Sequence, residues 1–101
     1  MVLMAGPDQI SWRALRAYFG RSRLTMASRE ELLTVTGYEL GAVAPFGLPS
    51  PMRILIDESV LAQEEISIGS GIRGTTIFLE TGDLLNALSG AEVGRFKKTN
   101  P

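Results

Sequence analysis

The 101-residue sequence predicts one α/β domain of the α+β kind, with helices packed on a mixed β-sheet. Three observations carry this. Strand-like runs are interleaved with helical patterns along the whole chain. "EISIGS" (65–70) and "TTIFLE" (75–80) both alternate apolar and polar residues, and the glycine-rich "GSGIRG" (69–74) joins them as a hairpin. Apolar content of 45% and charged content of 21% are ordinary for a globular chain long enough for one modest core. A hairpin among interleaved elements argues against a purely parallel, doubly wound sheet.

Each element has its own signal. "VLMAG" (2–6) is a short apolar run closed by Gly6-Pro7, a buried strand. Trp12, Leu15, Tyr18 and Phe19 recur at helical spacing, with Ser11 as N-cap and Gly20 as terminator. Arg13 and Arg16, three apart, share a face away from that stripe. "RLTMA" (23–27) reads as a strand. Ser28 and Glu31 have capping-box spacing before a helix that ends at Gly37. "MRILID" (52–57) is a strand, and Asp57 caps a short helix through Val60 and Leu61. Thr81 caps a helix through Leu84, Leu85 and Leu88, closed by Gly90. "AEVGRF" (91–96) is a last strand and "KKTNP" a frayed tail.

Composition removes whole classes of chemistry. No segment is long and apolar enough to cross a bilayer, and "MVLMAG" lacks the features of a signal peptide, so the expectation is a cytoplasmic protein without a membrane partner. Without cysteine there are no disulfides and no thiol chemistry. Without histidine there is no Ser–His–Asp triad and no zinc site of the usual kind. No metal and no cofactor is expected: the pairs Asp57/Glu58 and Glu64/Glu65 are adjacent on strand-like segments and point to opposite faces. Residues 1–29 carry five arginines against Asp8, residues 30–92 carry ten acids against Arg53 and Arg73, and Arg95, Lys97 and Lys98 follow. Two basic ends around an acidic middle either meet phosphates or are solvated faces.

Three stretches invite a functional reading, each beside a plainer one. "GAVAPFGLPSP" (41–51) is uncharged, with two glycines and three prolines. Such a loop can fix main-chain N–H groups around a ligand, with Phe46 as a wall, or it is a rigid connector with Phe46 plugging the core. "GSGIRG" is an anion nest with Arg73 reaching a phosphate, or a hairpin turn with one exposed arginine. Trp12, Tyr18 and Phe19 are stacking platforms for bases, or core.

Together "ASREELLTVTGYELGAVAPFGL", "MRILIDESVL" and "EISIGSGIRGTTIFLETGDLLNALSGAEV", in that order, resemble the YbaK/EbsC family of aminoacyl-tRNA deacylases, related to the editing insertion of prolyl-tRNA synthetases. The resemblance implies a partly barrel-like sheet and a single editing domain over residues 1–101. It implies trans-editing: hydrolysis of the ester of a mischarged tRNA, assisted by a hydroxyl of the terminal ribose. The partner would be an aminoacyl-tRNA acceptor end. The catalytic loop would be Gly41, Ala42, Val43 and Ala44, and the substrate would be lined by Pro45, Phe46, Gly47, Gly69, Ser70, Arg73 and Thr76. The family usually has a second glycine at the position of Ala42, and some relatives have serine at Gly69 and aspartate at Thr76. Family members carry a further N-terminal region, with a lysine important for activity, before the strand matching "VLMAG". The expectation is a shortened member whose exposed sheet edge a homodimer or a partner chain would cover. The alternative is an inactive relative that binds tRNA or protein.

Overall fold

The computed structural model describes residues 1–6, 9–49 and 51–98. The elements in order are β1 (Val2–Leu3), α1 (Trp12–Phe19), α2 (Arg29–Thr36), β2 (Leu55–Asp57), α3 (Glu58–Leu61), β3 (Glu65–Gly69), β4 (Thr76–Glu80), α4 (Thr81–Ala87) and β5 (Glu92–Gly94). Parallel and antiparallel pairing are both present, as expected, but in separate sheets. A three-stranded parallel sheet runs β1-β2-β5, and β3 pairs only with β4. The described residues form no closed barrel.

The central strand β2 divides the core. Leu55 and Ile56 are successive residues, so their side chains leave opposite faces. Leu55 packs with Leu15 of α1 and with Phe96, and Trp12, Phe19, Ile10 and Leu24 close around them. Ile56 packs with Val60 of α3 and Leu84 of α4, bordered by Leu3, Phe46, Ile66 and Leu88. Trp12 and Phe19 are therefore core rather than stacking platforms. Tyr18 is exposed, but its hydroxyl donates to Glu92 Oε1 at 2.7 Å and its ring meets Phe96 edge-on at 5.2 Å. Arg53 completes this cluster with a fork onto both oxygens of Glu92, at 2.5 and 2.7 Å.

The caps at the first two helices follow the sequence. Ser11 accepts from the Ala14 amide, Gly20 ends α1 in the left-handed region, and Ser28 and Glu31 form a reciprocal capping box. Asp57 caps α3 through the Ser59 amide at 2.9 Å. Other expectations are corrected. "RLTMA" forms no strand: Leu24 reaches the core, while Met26 is exposed, so the segment has no partner edge. Thr81 is the first residue of α4 rather than its cap; its hydroxyl donates to the Gln63 carbonyl at 2.5 Å and its amide to that of Glu64. Lys97 and Lys98 are not frayed: the Lys97 amide bonds Asp57 and the Lys98 amide bonds Gln9 O. Positions 7, 8, 50 and 99–101 lie outside the described residues.

Asp57 is fully buried and accepts from the Ser59, Phe96 and Lys97 amides. Burial pushes its carboxyl up, but the hydrogen bonds outweigh that and hold it below its ordinary value. Arg53 and Tyr18 hold Glu92 at about 2. Both groups are depressed on folding, so their stabilisation is present above the unfolded carboxylate range and is lost as pH falls through the folded values. Asp57→Ala orphans the buried Phe96 amide and the part-buried Ser59 and Lys97 amides and should cost about 3 kcal/mol in urea unfolding at neutral pH. The deficit against the parent should shrink as the pH is lowered below about 4.

Candidate functional site

A groove of about 1420 Å³ opens where the parallel strands end. All three strands deliver residues to it: Met4–Gly6 after β1, Asp57–Ser59 at the end of β2, and Arg95 and Lys97 after β5. Such a crevice at the carboxyl ends of parallel strands is the usual ligand position in open sheets. The far wall is β3, and Val43 and Pro45 close one side.

The uncharged loop reaches this groove through three linked contacts. The Thr36-Gly37-Tyr38 step ends α2: Thr36 Oγ1 donates to Leu32 O at 2.7 Å and accepts from the Tyr38 amide, while Gly37 turns at φ +76°. That turn sends the Tyr38 ring across Gly71, and its hydroxyl donates to the Phe46 carbonyl. A Cβ at Gly71 would lie 2.7 Å from the ring, so only glycine fits there. The Gly71 amide in turn donates to Ala42 O at 2.9 Å. Loop and hairpin turn are thus one unit, and Gly69 lies directly against the Val43 main chain.

Of the residues expected at the site, the groove brings together Val43, Pro45 and Gly69. Ala42 and Ala44 are 2% and 3% exposed and are not part of its wall, so the Ala42 methyl packs inside the protein. Phe46 packs against the Ile56 core, Gly47 sits beside the Tyr38 hydroxyl, and Gly41 is exposed at φ +89°. Ser70 is engaged in the turn, where its hydroxyl accepts from the Ile72 amide and donates to the Thr75 carbonyl. Arg73 is exposed beside Glu39 at 4.0 Å, and Thr76 is exposed opposite Gly69. None of these line the groove.

Sequence reasoning missed the β1 and α3 walls and β3 apart from Gly69, and with them Ser59, Gln63 and Ser67. Recognising 2–3, 55–57 and 92–94 as parallel neighbours would have pointed to them. Ser59 Oγ accepts from the Ala5 amide, and Asp57 is held by its three amides, so neither is poised as a base. Arg95 Nε bonds Glu58 at 3.1 Å on the groove rim. Among the described residues no hydrogen bond engages the Val43 or Ala44 amide. No cluster of three metal-ligating side chains is found among them.

Fold and groove define an α+β chain of parallel and antiparallel sheets whose groove is lined without histidine or cysteine. A family model described as the aminoacyl-tRNA editing domain matches residues 1–87, and the chain belongs to that family. The multifunctional Ser/Thr-tRNA deacylase ProXp-y of Escherichia coli (strain K12) is 25% identical over 100 residues, covering 98% of this chain and 59% of the relative. The uncharacterized protein YwhH of Bacillus subtilis (strain 168) is 31% identical over 84 residues, covering 83% and 53%. A solved structure described as a candidate trans-editing enzyme for prolyl tRNA synthetase superposes with a TM-score of 0.84 at 28% identity, covering 97% and 61%. The chain therefore spans between half and two thirds of the length of these relatives. No helix among the described residues is long and apolar enough to cross a membrane.

The latch can be tested alone. Tyr38→Phe removes the bond to the Phe46 carbonyl and should cost about 1 kcal/mol. Hydrogen exchange at the Gly71 amide should accelerate in the same variant; unchanged exchange there would uncouple Tyr38 from the loop.

Proposed function

We propose that this chain is an aminoacyl-tRNA deacylase acting in trans on mischarged tRNA, of the prolyl-tRNA synthetase-associated type, in the cytoplasm. Membership of the editing family supports it, as do relatives named as a Ser/Thr-tRNA deacylase and a candidate prolyl-tRNA trans-editing enzyme. The observation that carries it is the meeting of Val43 and Pro45 with Gly69 of the β3 wall at the groove. A stiff loop there offers main-chain donors to an acyl oxygen. Water adds to the ester carbonyl carbon, with the neighbouring ribose hydroxyl taking part in its deprotonation. The bond from that carbon to the ribose oxygen then breaks, and the leaving oxygen takes up a proton. The protein supplies position and oxyanion contacts, so its lack of histidine is no obstacle.

Purified protein should hydrolyse at least one mischarged tRNA well above the spontaneous rate. A spontaneous rate for every charged tRNA would leave a binding module instead. Gly41→Val, which forces a β-branched residue to φ +89°, should lower the rate at least tenfold and cost about 1–2 kcal/mol in stability. Rates are therefore compared well below the melting temperature of the variant.

We further propose that a second copy or another chain covers the open strand edges. All of Met1–Gly6 and all of Glu65–Gly69 line the groove. Side chains on a strand alternate between faces, so an unbroken lining means that β1 and β3 meet the groove edge-on. Phe78 and Ile72 on the hairpin are 69% and 66% exposed. Light scattering should give a mass of at least twice 10.9 kDa, or a stable complex with a co-purified chain. A cooperatively unfolding monomer at every concentration would overturn this.

A further inference from the structure

Gly69 poses a physical puzzle. Glycine is usually required where φ is positive, yet Gly69 is absent from the positive-φ glycines of this chain. It lies in β3, paired with Thr76, where any residue could adopt the backbone. Its requirement is space. A Cβ there would stand 2.1 Å from the Val43 carbonyl oxygen, 2.8 Å from its carbon and 3.1 Å from the Ala42 carbon. All three neighbours are main chain, so no rotamer change relieves the clash. The loop would have to retreat from the hairpin by about 1 Å to restore ordinary contact.

That contact lies at the groove. Gly69, Val43 and Pro45 all belong to its wall, together with Ile66, Ile68 and Val60. Where the Val43 carbonyl touches Gly69, strand and loop meet without an intervening side chain. The groove is closed there by main chain against main chain. The Gly71 amide bond to Ala42 O, at 2.9 Å, holds the same two segments together two residues further on.

Resting on the deacylase reading, we infer that Gly69 is a specificity-determining position: its missing side chain lets the Val43 carbonyl seat against β3, which closes the acyl end of the groove and sets its size. A residue with a Cβ at 69 holds the loop away and admits a bulkier acyl group. One methylene in an apolar pocket changes discrimination about 10- to 200-fold, so a displacement of this size should be easily read.

The test uses Gly69→Ala and, from the other side of the wall, Val43→Ala, which enlarges the same end without a main-chain clash. Each is assayed with minihelices charged with alanine, serine, threonine and leucine. The ratio of kcat/KM for the leucyl to the alanyl ester should rise at least tenfold in both, carried mainly by KM. Gly82→Ala, at an α4 glycine with open space around it and no positive φ, is the control and should leave the ratio unchanged. Unaltered ratios in Gly69→Ala and Val43→Ala would overturn the inference. If Gly69→Ala fails to fold, Tyr38→Phe, which frees the same loop from its bond to the Phe46 carbonyl, takes its place: a raised ratio sustains the inference and an unaltered one overturns it. If the parent hydrolyses none of the four, the deacylase reading is decided separately, by the full set of charged tRNAs. The size claim is then read from binding of non-hydrolysable 3′-amide analogues of alanyl- and leucyl-adenosine: a shifted affinity ratio sustains it, and an unshifted one sinks it.

Discussion

The buried carboxylate of Asp57 is the constraint on which the rest of the structure depends. It ends the central strand and caps α3 through Ser59. Its other oxygen gathers the Phe96 and Lys97 amides. The Phe96 bond fixes the ring that Leu15 and Leu55 pack on. Gly94 makes room for that ring, since a Cβ there would lie 2.7 Å from it. One side chain thus holds the ends of β2 and β5 in register and keeps the groove floor in place. A lone buried carboxylate is costly to desolvate, and three amide donors are what make it stable.

The second constraint is the stitching of loop to hairpin. The Thr-Gly-Tyr step is a helix terminator whose side chains are then reused: the threonine closes the last turn, the glycine redirects the chain, and the tyrosine crosses Gly71. A loop with buried Ala42, Ala44 and Pro45 is held as firmly as an element of regular structure, although it has none. Its lack of charge follows from that burial. The packing matches the connector reading of the loop, with Phe46 in the core, and Val43 and Pro45 also reach the groove.

What was legible in the sequence was largely local. Caps, periodicities and the hairpin turn act over three to five residues, and Ser11, Ser28, Asp57 and "GSGIRG" all behave as their spacing requires. What was not legible was set by partners far along the chain. "RLTMA" has strand composition but no edge to join, and Thr81 gives its hydroxyl to Gln63, eighteen residues away. The site divided the same way. The loop and Gly69 could be marked from residue type, but the groove lies where β1, β2 and β5 end, and their parallel order is a tertiary fact. Ser70, by contrast, looked available in sequence and is consumed by its own turn.

A site built from main-chain groups, as proposed for this chain, would leave a particular signature. An N–H or C=O cannot be deleted by substitution; it can only be moved. The positions that matter are then those that decide where the backbone lies, and they carry small or stiff residues rather than acids, bases or nucleophiles. In this chain those are Gly69 and Gly71, where a Cβ would collide, and Pro45, whose ring fixes φ beside them. The most informative residues near the groove are thus the ones with least chemistry of their own. Their identity records how closely two stretches of backbone approach, and under the proposed deacylase function that distance is what the groove has available to tell one acyl group from another.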